Sequence, residues 1–273
     1  MKKIERRRIR NITICFCLLI AIVACNRLLI NTLNYASYIT GWTLFSLIIL
    51  LTAYQLRKKL SMLPLGSTAI WLQFHIYLAL LTFPIFLIHI NMVAPNSLFE
   101  YILAGLFLGV FFSGITGLFF SRILPSCLNT RGEEIQYARI PLFISQLREE
   151  VENLVFESLA QSDTTLLPDF YMNKLVSFFD KPKHFLSHLL QSRRPRRRLL
   201  QMIRDAERFL DEREKKVMLQ IEARVKTKDD LDYQYALQAT LKLWLFVHIP
   251  LTYSLLIISL VHMLDVMRFT GTN

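Results

Sequence analysis

Four of the six histidines in this 273-residue chain lie inside long apolar stretches. His75 and His89 bracket "HIYLALLTFPIFLIH", and His248 and His262 bracket "HIPLTYSLLIISLVH". Ionisable side chains are expensive in hydrocarbon, so each is a candidate for chemistry rather than filling. Both gaps are fourteen residues. On an α-helix that is about 3.9 turns, so the two rings of a pair leave nearly the same face, roughly 21 Å apart along the axis. That separation puts one ring near each edge of a hydrocarbon layer about 30 Å thick.

The elements that would carry them are membrane spans. Composition is 53% hydrophobic, gathered into runs of about twenty apolar residues that read as transmembrane helices. Five are expected, near 12–33, 39–56, 68–91, 99–124 and 236–267. No cleavable leader is expected, because "MKKIERRRIR" precedes an apolar run that reads as an uncleaved anchor. Six of the first ten residues are basic and "RKKL" follows the second span, whereas "NTLNYASYIT" and "NMVAPNSLFE" carry no Lys or Arg. The positive-inside rule then places the N-terminus and residues 125–235 in the cytoplasm and the C-terminus outside. The third and fifth spans run in the same direction, so the histidines form two pairs at matched depth: His75 with His248, and His89 with His262.

Two neutral imidazoles facing each other across a bundle suit the axial positions of a low-spin haem iron. A lone membrane histidine is more often a packing hydrogen-bond donor, but packing gives no reason for two equal spacings at matched depths. Zinc or copper fits less well, since two ligands leave coordination unfilled and no carboxylate or thiolate matches them in depth. Cys15, Cys17 and Cys25 lie in the first span and Cys127 follows the fourth. No C-x-x-C-H is present, so covalent haem attachment is not expected.

The doubled H-x13-H, on two helices separated by one, resembles the di-haem b-type cytochromes, meaning the cytochrome b of quinol-oxidising complexes and the ferric reductase-like transmembrane family. The wider chain, including "GWTLFSLIILLTAYQLRKKLSMLPLGSTAIWLQFHIYLALLTF" and "TRGEEIQYARIPLF", is similar to a little-characterised family of bacterial b-type cytochrome membrane proteins. The resemblance implies two non-covalent haem b groups, transmembrane electron transport and a bacterial inner-membrane location. It covers the ligand-bearing helices and their order, not donor or acceptor. No flavin- or nicotinamide-binding domain follows the last span and no quinol-site motif is present. The expected role is therefore an electron-transfer subunit rather than a self-contained enzyme. With little more than loops outside, the expected partner there is a periplasmic multihaem cytochrome or an iron–sulfur protein. A quinol-oxidising or ferric-type reductase subunit using quinone is the alternative, and a non-redox transporter or scaffold with packing histidines is a further one.

Several other residues bear on such a site. Lys242 and Arg268 each lie six residues outside a candidate ligand, and Arg27 lies near the outer end of the first span. Each suits a haem propionate, or simply snorkels to the headgroups. Asp265, one turn past His262, is placed to accept a ring N–H. Gly105, Gly109, Gly114 and Gly117 in the fourth span permit close approach of a helix or a flat macrocycle. Pro84 and Pro250 interrupt the two ligand-bearing helices and each frees a carbonyl four residues earlier.

Between the fourth and fifth spans the chain changes character. Residues 125–235 hold 19 Lys and Arg against 18 Asp and Glu and read as amphipathic helices near 141–161, 169–191 (broken at Pro182) and 197–227. No breaker separates this region from the last span, so that helix is expected to project beyond the membrane. The net charge of +11 therefore reflects topology. "RRPRRR", Arg193 to Arg198, is read as a contact for anionic lipid at the cytoplasmic face. Nucleic acid is not expected, since no zinc-ligand spacing or aromatic RNA-binding motif accompanies the run. His184 and His188 have metal-ligand spacing but no third ligand, and read as surface histidines. No Walker loop, nucleophile elbow or H-E-x-x-H is found.

The resulting expectation is an all-α, five-span membrane protein with a four-helix di-haem bundle and a helical cytoplasmic loop. Its parts would be 1–124, 125–235 and 236–273.

Overall fold

The computed structural model describes residues 10, 13, 14, 16–24, 36–59, 66–128, 135–161 and 166–270. Every regular element among them is helical. Three long helices come first: α1 (Ala36–Lys59), α2 (Thr68–His89) and α3 (Leu98–Leu128). A 3-10 turn at Tyr137–Arg139 leads into α4 (Ile140–Gln161). Next come α5 (Leu166–Phe170), a π turn (Tyr171–Leu175), α6 (Val176–Phe179) and α7 (Phe185–Leu189). The last two are α8 (Arg194–Glu207) and α9 (Glu212–Thr270).

Four helices among the described residues are long and apolar enough to cross a bilayer: α1, α2, α3 and the C-terminal part of α9. The chain is a multi-pass membrane protein. The first expected span falls mostly outside the described residues; those of it that are described, at 13, 14 and 16–24, are helical. Large apolar side chains stand exposed on the long helices, as at Phe74, Phe112, Phe119, Phe246 and Ile257. Surface of this kind is tolerated where lipid replaces water.

The chain divides into two compact units. One contains residues 1–118 and 244–273 and the other residues 119–243. In the first unit α1, α2, α3 and the end of α9 share a core of Leu44, Ile48, Leu81, Ile85, Phe86, Phe107 and Leu255. Phe86 stacks on Phe107 with centroids 4.2 Å apart, and Phe83 stacks on Phe111 at 4.7 Å. Leu19 and Ile22 pack against the same core, so the described part of the first expected span belongs to the bundle. Among the described residues, Gly105 and Gly109 meet nothing that a Cβ would touch within 4 Å, so the G-x-x-x-G packs closely on none of the described helices.

In the second unit, Val151, Leu167, Leu175, Phe179, Ile203, Ile221 and Val225 form a buried cluster from α4, α5, the π turn, α6, α8 and α9. The break after α6 coincides with Pro182, as its missing N–H requires. The stripe over 197–227 predicts one helix, but the chain stops at Glu207 and restarts at Glu212. The restart carries one half of a capping box: Glu214 Oε2 accepts the Asp211 N–H at 3.2 Å, while Asp211 Oδ1 accepts the adjacent Glu212 N–H at 2.8 Å. From there α9 runs unbroken to Thr270. The second unit also buries charge. Lys228, fully buried, donates to Asp232 Oδ2 at 2.6 Å and to the Lys181 carbonyl at 2.9 Å. Burial pushes the Asp232 carboxyl up to about 7.

Candidate functional site

The cradle of His89 begins on α1. The sequence "YITGW" places Thr40 and Gly41 beside the ring. The Thr40 hydroxyl is hydrogen bonded to His89 Nδ1 at 3.2 Å. A Cβ on Gly41 would stand 3.1 Å from His89 Cε1, closer than a side chain normally approaches. Glycine at 41 thus makes room for the imidazole, while its neighbour fixes one ring nitrogen. A ligating histidine needs this arrangement, because the partner at Nδ1 sets the tautomer and leaves coordination to Nε2.

His248 repeats part of the device with different elements. The sequence "FSGITG" in α3 places Ser113 Oγ 3.2 Å from His248 Nδ1. A Cβ on Gly114 would lie 3.8 Å from His248 Cε1, an ordinary contact, so the hydroxyl is repeated here while the ring does not itself require glycine. One turn later, a Cβ on Gly117 would overlap the indole of Trp244, so α9 lies directly on the bare surface of α3. Trp244 donates its indole N–H to the Ser113 carbonyl at 2.8 Å and stacks on His248 with centroids 5.2 Å apart. Both histidines therefore carry a hydroxyl-and-glycine dipeptide from a neighbouring helix. Neither dipeptide stands out in the sequence, since Thr, Ser and Gly are common packing residues in membrane helices. The signal that would have found them is a hydroxyl residue directly followed by glycine in the helices that flank the histidines.

Beyond this likeness the two pairs differ. His89 and His262 line one cavity of about 120 Å³ in the first unit. Its other walls are almost entirely apolar, among them Trp42, Phe45, Phe107, Leu255 and Met263. His89 on α2 and His262 on α9 thus both border this one cavity. His262 also lies against Phe99, 6.0 Å between centroids. Around His75 and His248 aromatic rings are the close neighbours. Tyr54 lies 5.1 Å from His75 between centroids, and Trp244 covers His248.

A two-histidine donor set suits a macrocycle that supplies the remaining equatorial ligands itself. Among the described residues no three His, Cys, Asp or Glu side chains converge, so nothing there offers a tetrahedral zinc-type cage. The apolar cavity, the bare face of Gly41 and the Nδ1 partner of His89 all fit a flat, largely hydrophobic group with axial imidazoles.

The basic candidates are placed as follows. Lys242 Nζ lies 3.7 Å above the Tyr137 ring in the second unit. Arg268 is exposed in the last turn of α9, and Asp265 is exposed one turn past His262. Arg27 lies outside the described residues. In the second unit His184 is exposed, but His188 is not the surface residue that its spacing suggests. It is buried on α7, with Nε2 3.7 Å from Asp229 and its ring edge-on to Tyr233.

Comparison of the chain with protein-family models, with curated proteins and with solved structures gives no match.

Proposed function

We propose that the chain is the membrane cytochrome b subunit of a redox complex, carrying electrons across the bilayer through two bis-histidine b-type haems. His89 and His262 ligate one haem and His75 and His248 the other, in a five-span bundle of a bacterial inner membrane with the N-terminus in the cytoplasm. The observation that carries this reading is the apolar cavity whose lining includes both His89 and His262. Haem, when bound, supplies the one-electron redox chemistry.

What the chain contributes follows from its own residues. The hydroxyls of Thr40 and Ser113 lie 3.2 Å from Nδ1 of His89 and His248; with the proton on Nδ1 they would accept it, orient each ring and make it a better donor through Nε2. Trp42, Phe45 and Phe107 exclude water from the cavity and lower the local dielectric, a main lever on redox potential. At the other pair, Tyr54 and Trp244 hold the faces of His75 and His248. Arg268 and Arg27 are positioned in sequence for propionates near one interface. Lys242 would serve the opposite one, where the Tyr137 ring competes for its ammonium. A periplasmic multihaem cytochrome or iron–sulfur protein would exchange electrons at the outer face, and quinone is the alternative carrier.

Proteoliposomes test the transmembrane path. With ferricyanide trapped inside and dithionite outside, the wild-type chain should bleach the ferricyanide, while His262→Ala and His248→Ala should each return the rate to that of empty liposomes. Equal rates for wild type and both variants would overturn the proposal.

A further inference from the structure

The second unit contains a site of a different kind, independent of the haem reading. A cavity of about 660 Å³ opens between the π turn, α7 and α8, and four cations line it: Lys174, Lys183, Arg194 and Arg198. No carboxylate is part of its lining. Among the described residues none of the four is in an ion pair, because the nearby acids are engaged by other cations. Arg196 is within 2.8 Å of Asp230 and 3.5 Å of Asp229, and Lys228 holds Asp232.

Helix geometry sorts the basic run that made this region conspicuous in sequence. Arg194 and Arg198 are four apart on α8 and so share a face, which is the one that borders the cavity. Arg196 points to the acids of α9, and Arg193 and Arg197 are exposed and do not line the cavity. Lys183 is held in place by its Nζ–H bond to Ser177 Oγ at 3.1 Å and by its backbone N–H bond to Asp232 Oδ2 at 3.3 Å. Ser177, Ser187 and Ser192 add hydroxyls to the wall, and Phe178, Leu199 and Met202 add an apolar side. The N-terminal end of the 14-residue α8 opens on the same space and favours negative charge in the same sense.

Four like charges around one concave space repel each other until an anion enters. Guanidinium forks and ammonium groups together match phosphate oxygens, with the arginines binding in pairs of hydrogen bonds. We infer that this cavity binds a phosphate-bearing anion with at least two negative charges, either free in solution or as a lipid headgroup. The apolar side receives whatever carries the phosphate.

The test uses the full chain in nanodiscs. In discs of phosphatidylcholine, inorganic pyrophosphate is titrated by calorimetry; in discs doped with phosphatidic acid, the rise in melting temperature over neutral discs is read. Arg194→Gln with Arg198→Gln should weaken pyrophosphate binding about tenfold or more, as expected for lost charge-assisted bonds. Arg193→Gln with Arg197→Gln should change it by no more than about twofold, since these charges do not line the cavity and act on it only across screening solvent. Arg194→Lys with Arg198→Lys should retain most of the binding and shows that the site tolerates substitution. A pocket-dependent effect in the first arm identifies a free phosphate ligand; one confined to the second identifies a headgroup. Absence of a pocket-dependent effect in both arms, or equal weakening by the two Gln pairs, would overturn the inference.

Discussion

His89 and His248 are set into the bundle in the same way, yet they face different surroundings. Each has a hydroxyl at Nδ1 and a glycine against its ring, from Thr40–Gly41 in one case and Ser113–Gly114 in the other. His89 then opens, with His262, on an apolar cavity of about 120 Å³. His248 is covered by Trp244, which is itself seated on Gly117 and bonded to Ser113. The difference separates two requirements of a cofactor site. Orientation of the ligand comes from a hydrogen bond and a missing Cβ, while volume comes from what the next helix brings. The hydrogen bond occurs at both histidines, whereas the missing Cβ is needed only at His89, which with His262 also borders the open volume.

Filling the open site should have the largest effect. Gly41→Leu puts a branched side chain against His89 and into the cavity, and should abolish haem binding there while leaving the His75–His248 haem. The reduced α band would fall by about half in that case; an unchanged band would remove the cavity from the account. The closed site should respond through packing instead. Gly117→Ala collides with the Trp244 indole and should cost about 1–3 kcal/mol of stability, as overpacking does, read as a lower melting temperature. Gly41→Ala needs His89 to yield by only a few tenths of an ångström and should cost less. If the two alanine variants melt alike, the contrast between the sites is wrong.

The positions that draw these contrasts were unequally visible in the sequence. Equal fourteen-residue spacing announced the four histidines, because few other patterns put two imidazoles on one helical face at two depths. Apolar runs announced α1, α2, α3 and the unbroken exit of α9 for the same reason, since hydrophobicity over twenty residues leaves little choice of structure. Thr40, Gly41 and Ser113 did not stand out, because their role depends on which helix lies opposite. The break at 208–211 was hidden by an amphipathic stripe that stays in phase across it, though the Asp211–Glu214 spacing of a capping box was there to be read. His188 was misread as exposed because nothing local tells a buried histidine from a surface one.

The hydroxyls offer a finer comparison. Thr40→Ala and Ser113→Ala each remove the Nδ1 partner of one ligand and should weaken the corresponding haem about tenfold, as loss of such partners commonly does. Haem titration of the two variants should show each affecting its own site; an equal effect of either on both sites would mean that the hydroxyls act through general packing.

The smallest effect concerns acid, and it should spare both sites. In the second unit the Arg148 and Tyr171 hydrogen bonds hold the Glu152 carboxyl below the usual range, so that stabilisation is lost as pH falls through its folded value, below about 4.5. Partial desolvation lowers the His184 imidazole, but its side chain is exposed, so its loss of stability in the acid direction, below about pH 6.5, is small. The raised Asp232 carboxyl works in the opposite sense between about pH 7 and the ordinary carboxylate range. Melting should therefore change little between pH 7.5 and 5 and fall below that, and the haem spectrum should stay constant until the chain unfolds. A spectral change that precedes melting would place a titrating group at the haem sites instead.

The central claim is that His89 and His262 are two ligands of one haem. It is tested most directly by the haem-to-protein ratio and reduced spectrum of wild-type protein, His89→Ala, His262→Ala and the double variant, all produced with ample haem. The account predicts two haems in the wild type and one in each of the three variants, with the double variant no worse than either single change. A wild-type chain without Soret absorption, or single variants that retain both haems, would contradict it.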